Sequence, residues 1–222
     1  MNDRFPIGLQ RLDKCIGGGF ERGIITEIYG EPGSGKTNLV LFSSIKASSL
    51  GKIIYLDTEG VSSERVAQIT RDESIPANLK FFRIKSYDEQ LENVPKILNL
   101  AQAMNDLIMI VFDTLTSHYR AEREIRTELR KKYSNTLLTQ LEMLGSIAAA
   151  KNIPVIIVNQ VYMDASTNDV QPIGGSAISH ISKAIFKIQK TGASRRELIV
   201  IKHRSLPENL RCPFEITEMG IE

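Results

Sequence analysis

The chain has 222 residues, a formal net charge of +2 and an apolar fraction of 42%. That is enough for one well-packed α/β domain, and the near-neutral balance makes no compositional case for a nucleic-acid partner. Two cysteines, Cys15 and Cys212, provide neither a disulfide framework nor a metal-ligand spacing and read as reduced thiols. The opening MNDRFPIG lacks a signal-peptide core and no apolar run is long enough to cross a membrane, so a cytoplasmic protein is expected.

In chain order, Leu9, Leu12 and Ile16 recur at helical spacing, and Gly17-Gly18-Gly19 ends that short helix. Residues 24–29 form a β-rich apolar run, 38–47 suit a helix, and 53–57 read as a second buried strand. Ser62 or Ser63 can cap a helix reaching about residue 71, and 79–84 is a third strand. Residues 87–102 place Leu91, Val94, Ile97, Leu98 and Ala101 on one helical face, with Pro95 predicting a kink or a late start. The unbroken run 107–112, ending at Asp113, reads as a parallel strand buried on both faces. A helix over 134–150 turns Leu137, Leu138, Leu141, Leu144 and Ile147 inward, and the strand 153–158 ends at Asn159-Gln160. Residues 161–175 read as a polar loop, followed by a short helix and a hairpin of 184–189 with 197–202. Strands alternating with helices predict an α/β fold: a mainly parallel twisted sheet flanked by helices, with an antiparallel C-terminal extension, as a single core domain over 1–222.

The chemistry centres on GEPGSGKT, Gly30 to Thr37. A strand before it and a helix after it supply the setting of a phosphate-binding loop. Gly30, Glu31, Pro32, Gly33, Ser34, Gly35, Lys36, Thr37 and Asn38 are therefore candidate nucleotide contacts. Lys36 would reach the β- and γ-phosphates, and the Thr37 hydroxyl would help hold Mg²⁺. Three polar residues stand at or just after strand ends, where ligands of such sheets bind. Asp113 can hold the same Mg²⁺, Glu59 can orient the attacking water or take its proton, and Gln160 can sense a γ-phosphate. On position alone, Glu59 and Gln160 serve equally well as a solvated acid and a structural amide.

Read together, these segments resemble the RecA/RadA/Rad51 recombinase family over nearly all of the chain. IIYLDTEG followed by SSERV is similar to the segment carrying that family's catalytic glutamate, here Glu59, and an arginine that stacks on adenine, here Arg65. IMIVFDTLTSHYR resembles the magnesium-aspartate strand leading into the first DNA loop, and IPVIIVNQV the strand ending in the sensor glutamine. PIGGSAISH resembles the end of the second DNA loop, with His180 where the family senses a neighbouring subunit's nucleotide. The resemblance implies ATP and Mg²⁺ as cofactors and a RecA-type P-loop ATPase core. The core begins almost at residue 1, without the N-terminal helical domain or linker of the recombinases proper, which is most like a short archaeal paralogue. Such a protein would bind DNA, hydrolyse ATP weakly, perform little or no strand exchange and assist the main archaeal recombinase in repair.

Three departures from the family pattern follow. The missing linker counts against family-style filaments, although self-association is left open. The segment 161–175 holds Asp164 and Asp169 but no Lys, Arg, Phe or Trp, whereas a DNA loop is ordinarily basic. The stretch matching the cation-binding aspartate reads Ile201-Lys202-His203-Arg204, so Lys202 and Arg204, with Pro207 beyond them, are candidates to reach a neighbour's nucleotide in trans. For single-stranded and also double-stranded DNA, the candidates are Arg120, Arg123, Arg126, Arg130 and Lys131 in HYRAEREIRTELRKK. The bland reading of that stretch is a solvated helix laced with ion pairs; its place in the family favours DNA. A second candidate is the turn bearing Lys190, Arg195 and Arg196. Two alternatives stand beside this reading: a signalling ATPase of the same superfamily that does not bind DNA, and a nucleotide-stabilised adaptor for the recombinase.

Overall fold

The computed structural model describes residues 3–71, 76–119, 130–164 and 169–222. Its elements are β1 (Arg4–Phe5), α1 (Gln10–Cys15), β2 (Phe20–Glu21), β3 (Ile25–Tyr29), α2 (Lys36–Ala47), β4 (Lys52–Asp57), α3 (Ser63–Thr70), β5 (Leu79–Arg83) and α4 (Tyr87–Ala103). There follow β6 (Leu107–Asp113), α5 (Arg130–Lys151), β7 (Val155–Asn159), β8 (Val161–Asp164), β9 (Asp169–Pro172), α6 (Gly175–Ile181), β10 (Ala184–Lys190), β11 (Arg195–Lys202), β12 (Arg211–Thr217) and β13 (Gly220–Ile221).

Strand periodicity builds two cores at once. On β6, Met109 and Val111 join one apolar cluster while Ile110 and Phe112 join the other; Ile156 and Val158 of β7 alternate likewise with Val155 and Ile157. Such a sheet is buried on both faces, which is why these runs are unbroken. The nine-stranded order is β13-β12-β11-β10-β3-β7-β6-β4-β5. Neighbours from β10 through β5 are parallel, and β10 through β13 pair antiparallel. α1 and α2 pack on one face; α4 and α5 pack on the other.

Four expectations are corrected. The α4 helix starts at Tyr87 and runs past Pro95 with no late start. Its N-terminus is fixed by Ser86, whose Oγ accepts from Glu89 N, while Glu89 Oε2 accepts from Lys85 N; these bonds cap the helix start ahead of the proline. Segment 161–175 is not a plain loop: β8 and β9 form an antiparallel ribbon, with Tyr162 opposite Gln171 and Met163 opposite Val170. Those β-prone residues outweigh the polar composition. The C-terminal extension carries two further strands, β12 and β13, beyond the expected hairpin. Finally, Cys15 and Cys212 are joined in a disulfide. α1 packs against β12, which brings together two thiols 197 residues apart in sequence; no local spacing announces such a pair.

Candidate functional site

The loop between β3 and α2 is shaped by close backbone approach. A Cβ on Gly30 would stand 2.2 Å from the Ile188 carbonyl oxygen, and one on Gly35 would stand 2.6 Å from Ile216 Cδ1. Gly35 also has φ 103°, a conformation open to glycine, and sits directly before α2. The positive end of α2 and its first unpaired N–H groups thus open on the loop. Lys36 is buried, and its Nζ donates to Gly30 O and Glu31 O, both at 2.9 Å. Burial pushes its pKa down, opposed by Asp113 and Glu59. A cleft of about 300 Å³ is lined by Gly30, Pro32, Gly33, Lys36, Thr37, Asn38, Glu59 and Gln160, among others.

Asp113, at the tip of β6, is fully buried. Burial lifts its pKa to about 6, against the hydrogen bonds of Tyr55 and Thr37. Tyr55 Oη donates to Asp113 Oδ2 at 2.8 Å, and Oδ1 is buried without a partner among the described residues. A free carboxylate oxygen beside the Thr37 hydroxyl is the all-oxygen donor set that Mg²⁺ takes.

Glu59 is positioned through Asp57. Asp57 Oδ1 accepts from the backbone N–H groups of Glu59 and Gly60, at 3.1 and 2.8 Å, and Oδ2 accepts from Val61 N and Arg83 Nη1. The Glu59 side chain is exposed at the cleft, where Oε1 accepts from Gln160 Nε2 at 2.5 Å and from Thr114 Oγ1 at 3.3 Å. The tips of β4, β6 and β7 are therefore tied together at one point.

Arg65 and Asn38 also meet. Arg65 Nε donates to Asn38 Oδ1 at 2.6 Å, Nη1 to Gln68 Oε1 and Glu218 O, and Nη2 to Thr217 O and Gly220 O. All five guanidinium N–H groups are thereby used, and the β12–β13 turn is anchored beside the loop.

The remaining candidates lie elsewhere. Lys202 pairs opposite Ile185, toward the start of β10 and away from the phosphate-loop end of the sheet. Its Nζ donates to Ser179 O and Ser182 O, at 2.7 and 2.9 Å, closing the C-terminal end of α6. Arg204 pairs with Glu21; His180 and Pro207 are exposed. Arg120, Arg123 and Arg126 lie outside the described residues, and of Arg130 and Lys131 only the backbone, opening α5, is described.

Sequence reasoning passed over Tyr55, Asp57, Glu27 and Asn159. Asp57 had a signal, because an Asp two residues before a turn can accept the turn's N–H groups. Glu27 had one too, being a carboxylate inside an otherwise buried strand. Asn159 Nδ2 donates to Glu27 Oε1 and Ile173 O, and Asn159 Oδ1 accepts from Thr116 Oγ1. This links β3, β7 and the segments that follow β6 and β9.

The mainly parallel sheet, the glycine-shaped loop and the strand tips gathered over it define a RecA-type P-loop core. The family model described as Rad51 matches residues 4–222, and the chain belongs to that family. It is 39% identical over 219 residues to the DNA repair and recombination protein RadB of Thermoplasma acidophilum, covering 98% of this chain and 93% of the relative. It is 40% identical over 218 residues to the protein of the same name from Methanococcoides burtonii, covering 95% and 93%. A solved structure titled as the crystal structure of the RadB recombinase superposes with a TM-score of 0.80 at 33% identity, covering 97% of each chain.

Proposed function

We propose that this protein is an ATP-dependent, DNA-binding factor of homologous recombination and repair that assists a main recombinase. The observation that carries the ATP-dependent part is the bond from Gln160 Nε2 to Glu59 Oε1 at the mouth of the phosphate loop. It couples a hydrolytic carboxylate to an amide that begins a surface ribbon. The loop N–H groups, the α2 terminus and Lys36 bind the polyphosphate. Thr37 and Asp113 would hold Mg²⁺, which neutralises phosphate charge when bound. Glu59 orients water for attack on the γ-phosphate, and Gln160 reports that phosphate to β8 and β9. Arg65, its donors committed to protein oxygens, keeps its flat face for an adenine ring.

The DNA contact is assigned to the basic stretch 120–132, with affinity dominated by phosphate neutralisation. The ribbon between 161 and 172 carries no basic residue, which supports weak strand exchange. The relatives' names support recombination and repair. No helix among the described residues is long and apolar enough to cross a membrane, consistent with work in the cytoplasm. Action of Lys202 in trans would require it to leave two carbonyls of α6.

The test is affinity for single-stranded DNA, with and without a non-hydrolysable ATP analogue, at two salt concentrations, for wild type and Arg126→Glu. Salt-sensitive binding that weakens in the variant and shifts with nucleotide is expected. Absence of binding in either nucleotide state would refute the DNA-acting reading.

A further inference from the structure

Arg196 near the start of β11 is a buried cation that has no counter-ion among the described residues. Up to the register shift near its C-terminal end, β11 turns its even-numbered residues toward α2: Leu198 and Val200 share a core cluster with Leu39 and Val40. Arg196, 7% exposed, lies on the same face. Its Nε is 3.7 Å from where a Cβ on Gly35 would stand, directly before the first turn of α2. Nη1 is held by three carbonyls of its own turn, those of Gly192, Ala193 and Arg195, at 3.1, 3.2 and 2.8 Å. Nε is buried with no acceptor among the described residues. Among the described residues no carboxylate pairs with Arg196; the nearby acids on β11 and β12, Glu197 and Glu215, pair with Arg211 and Arg195.

A guanidinium in this place is repelled by the positive end of α2, and burial removes the water that would screen it. An anion in the adjoining loop reverses both penalties. We propose that Arg196 is a nucleotide-binding residue that supplies counter-charge to the phosphates of a nucleoside di- or triphosphate. The proposal rests on the reading of residues 30–38 as a phosphate site. The sheet order defines its share of the ligand. β11 lies two strands from β3 on one side, whereas β7, β6 and β4, which carry Gln160, Asp113 and Glu59 at or beyond their ends, lie on the other. Arg196 therefore serves the phosphates that ADP and ATP have in common, not the γ-phosphate.

The experiment titrates fluorescent ADP and a fluorescent non-hydrolysable ATP analogue into wild type, Arg196→Met, Arg196→Lys and Lys36→Ala, and melts each protein without nucleotide. Methionine keeps an apolar stem and removes the charge. Arg196→Met should bind both nucleotides about tenfold more weakly, to the same degree, as fits one lost charge-assisted contact. Without nucleotide it should melt no lower than wild type, because a repelled cation has been removed. Wild-type affinity in Arg196→Met overturns the proposal and shows a residue that only clamps its turn. If Arg196→Met melts lower, Arg196→Lys decides: it keeps the charge and loses the three-carbonyl clamp, so affinity near wild type supports the proposal and affinity like Arg196→Met overturns it. A wild type that binds no nucleotide, or Lys36→Ala that binds normally, overturns the phosphate-site reading and this proposal with it. Loss in Lys36→Ala with full binding in Arg196→Met overturns the Arg196 assignment alone.

Discussion

Glu27 should make the protein less stable as pH rises, and Glu27→Gln should remove that loss. The carboxyl is fully buried on the face of β3 that carries Ile25. Oε1 accepts from Asn159 Nδ2 at 2.8 Å, and Oε2 has no partner among the described residues. Burial lifts its pKa from 4.5 to about 7, only partly opposed by Asn159 and Lys202. Between those values the folded chain keeps a proton that the unfolded chain releases, so stability falls as pH rises and the penalty is complete above about 7. At about 1.36 kcal/mol per pH unit, the gap amounts to about 3 kcal/mol. Urea unfolding of wild type and Glu27→Gln between pH 4.5 and 8 measures it. The variant's stability relative to wild type should rise by about 3 kcal/mol across that range. The comparison cancels Asp113, whose raised pKa acts in the same direction, and His203, which burial lowers to about 4. A difference that stays flat with pH would show that Glu27 ionises normally in the fold and would refute the reasoning.

Asp57→Ala removes the acceptor of three backbone N–H groups around Glu59 and of Arg83. Single-turnover ATP hydrolysis should slow by about 100-fold, as for a misplaced catalytic group. Nucleotide affinity should hold near wild type, because the phosphate loop is untouched; a parallel loss of binding would show that Asp57 shapes the whole cleft. The disulfide between Cys15 and Cys212 spans 197 residues of sequence and should contribute about 2–4 kcal/mol. Urea unfolding with and without reductant should show that loss in wild type and none in Cys15→Ser.

The sheet was legible because its strands are buried on both faces and so carry unbroken apolar runs with polar tips. The same physics marked Asp113 and Gln160 as strand-end residues: a charge or amide after such a run stands at the edge of the sheet. What stayed hidden depends on contacts between distant segments. Arg65 gave no sign that it binds the β12–β13 turn, more than 150 residues away, nor Cys15 that it meets Cys212. Lys202 read as a residue free to act on a neighbour, whereas the fold supplies it with two helix-end carbonyls. Polar composition concealed β8 and β9, because a two-stranded surface ribbon needs no apolar core to be seen from sequence.

Gln160 stands at the boundary between the packed interior and a surface ribbon. Asn159 before it is held in the interior by Glu27, Thr116 and Ile173. Ile173 N also donates to Gln160 O, so the two ends of the ribbon are tied to each other. Among the described residues, β8 and β9 form a two-stranded sheet of their own, and Tyr162 and Met163 are 48% and 60% exposed. The Gln160 amide carries two N–H groups; the one not on Glu59 can meet a γ-phosphate oxygen. Under the proposed function, loss of that phosphate would change the restraint on Gln160 while Asn159 keeps its bonds to the interior. The bond from Gln160 Nε2 ties the orientation of Glu59 to the first residue of the ribbon's base.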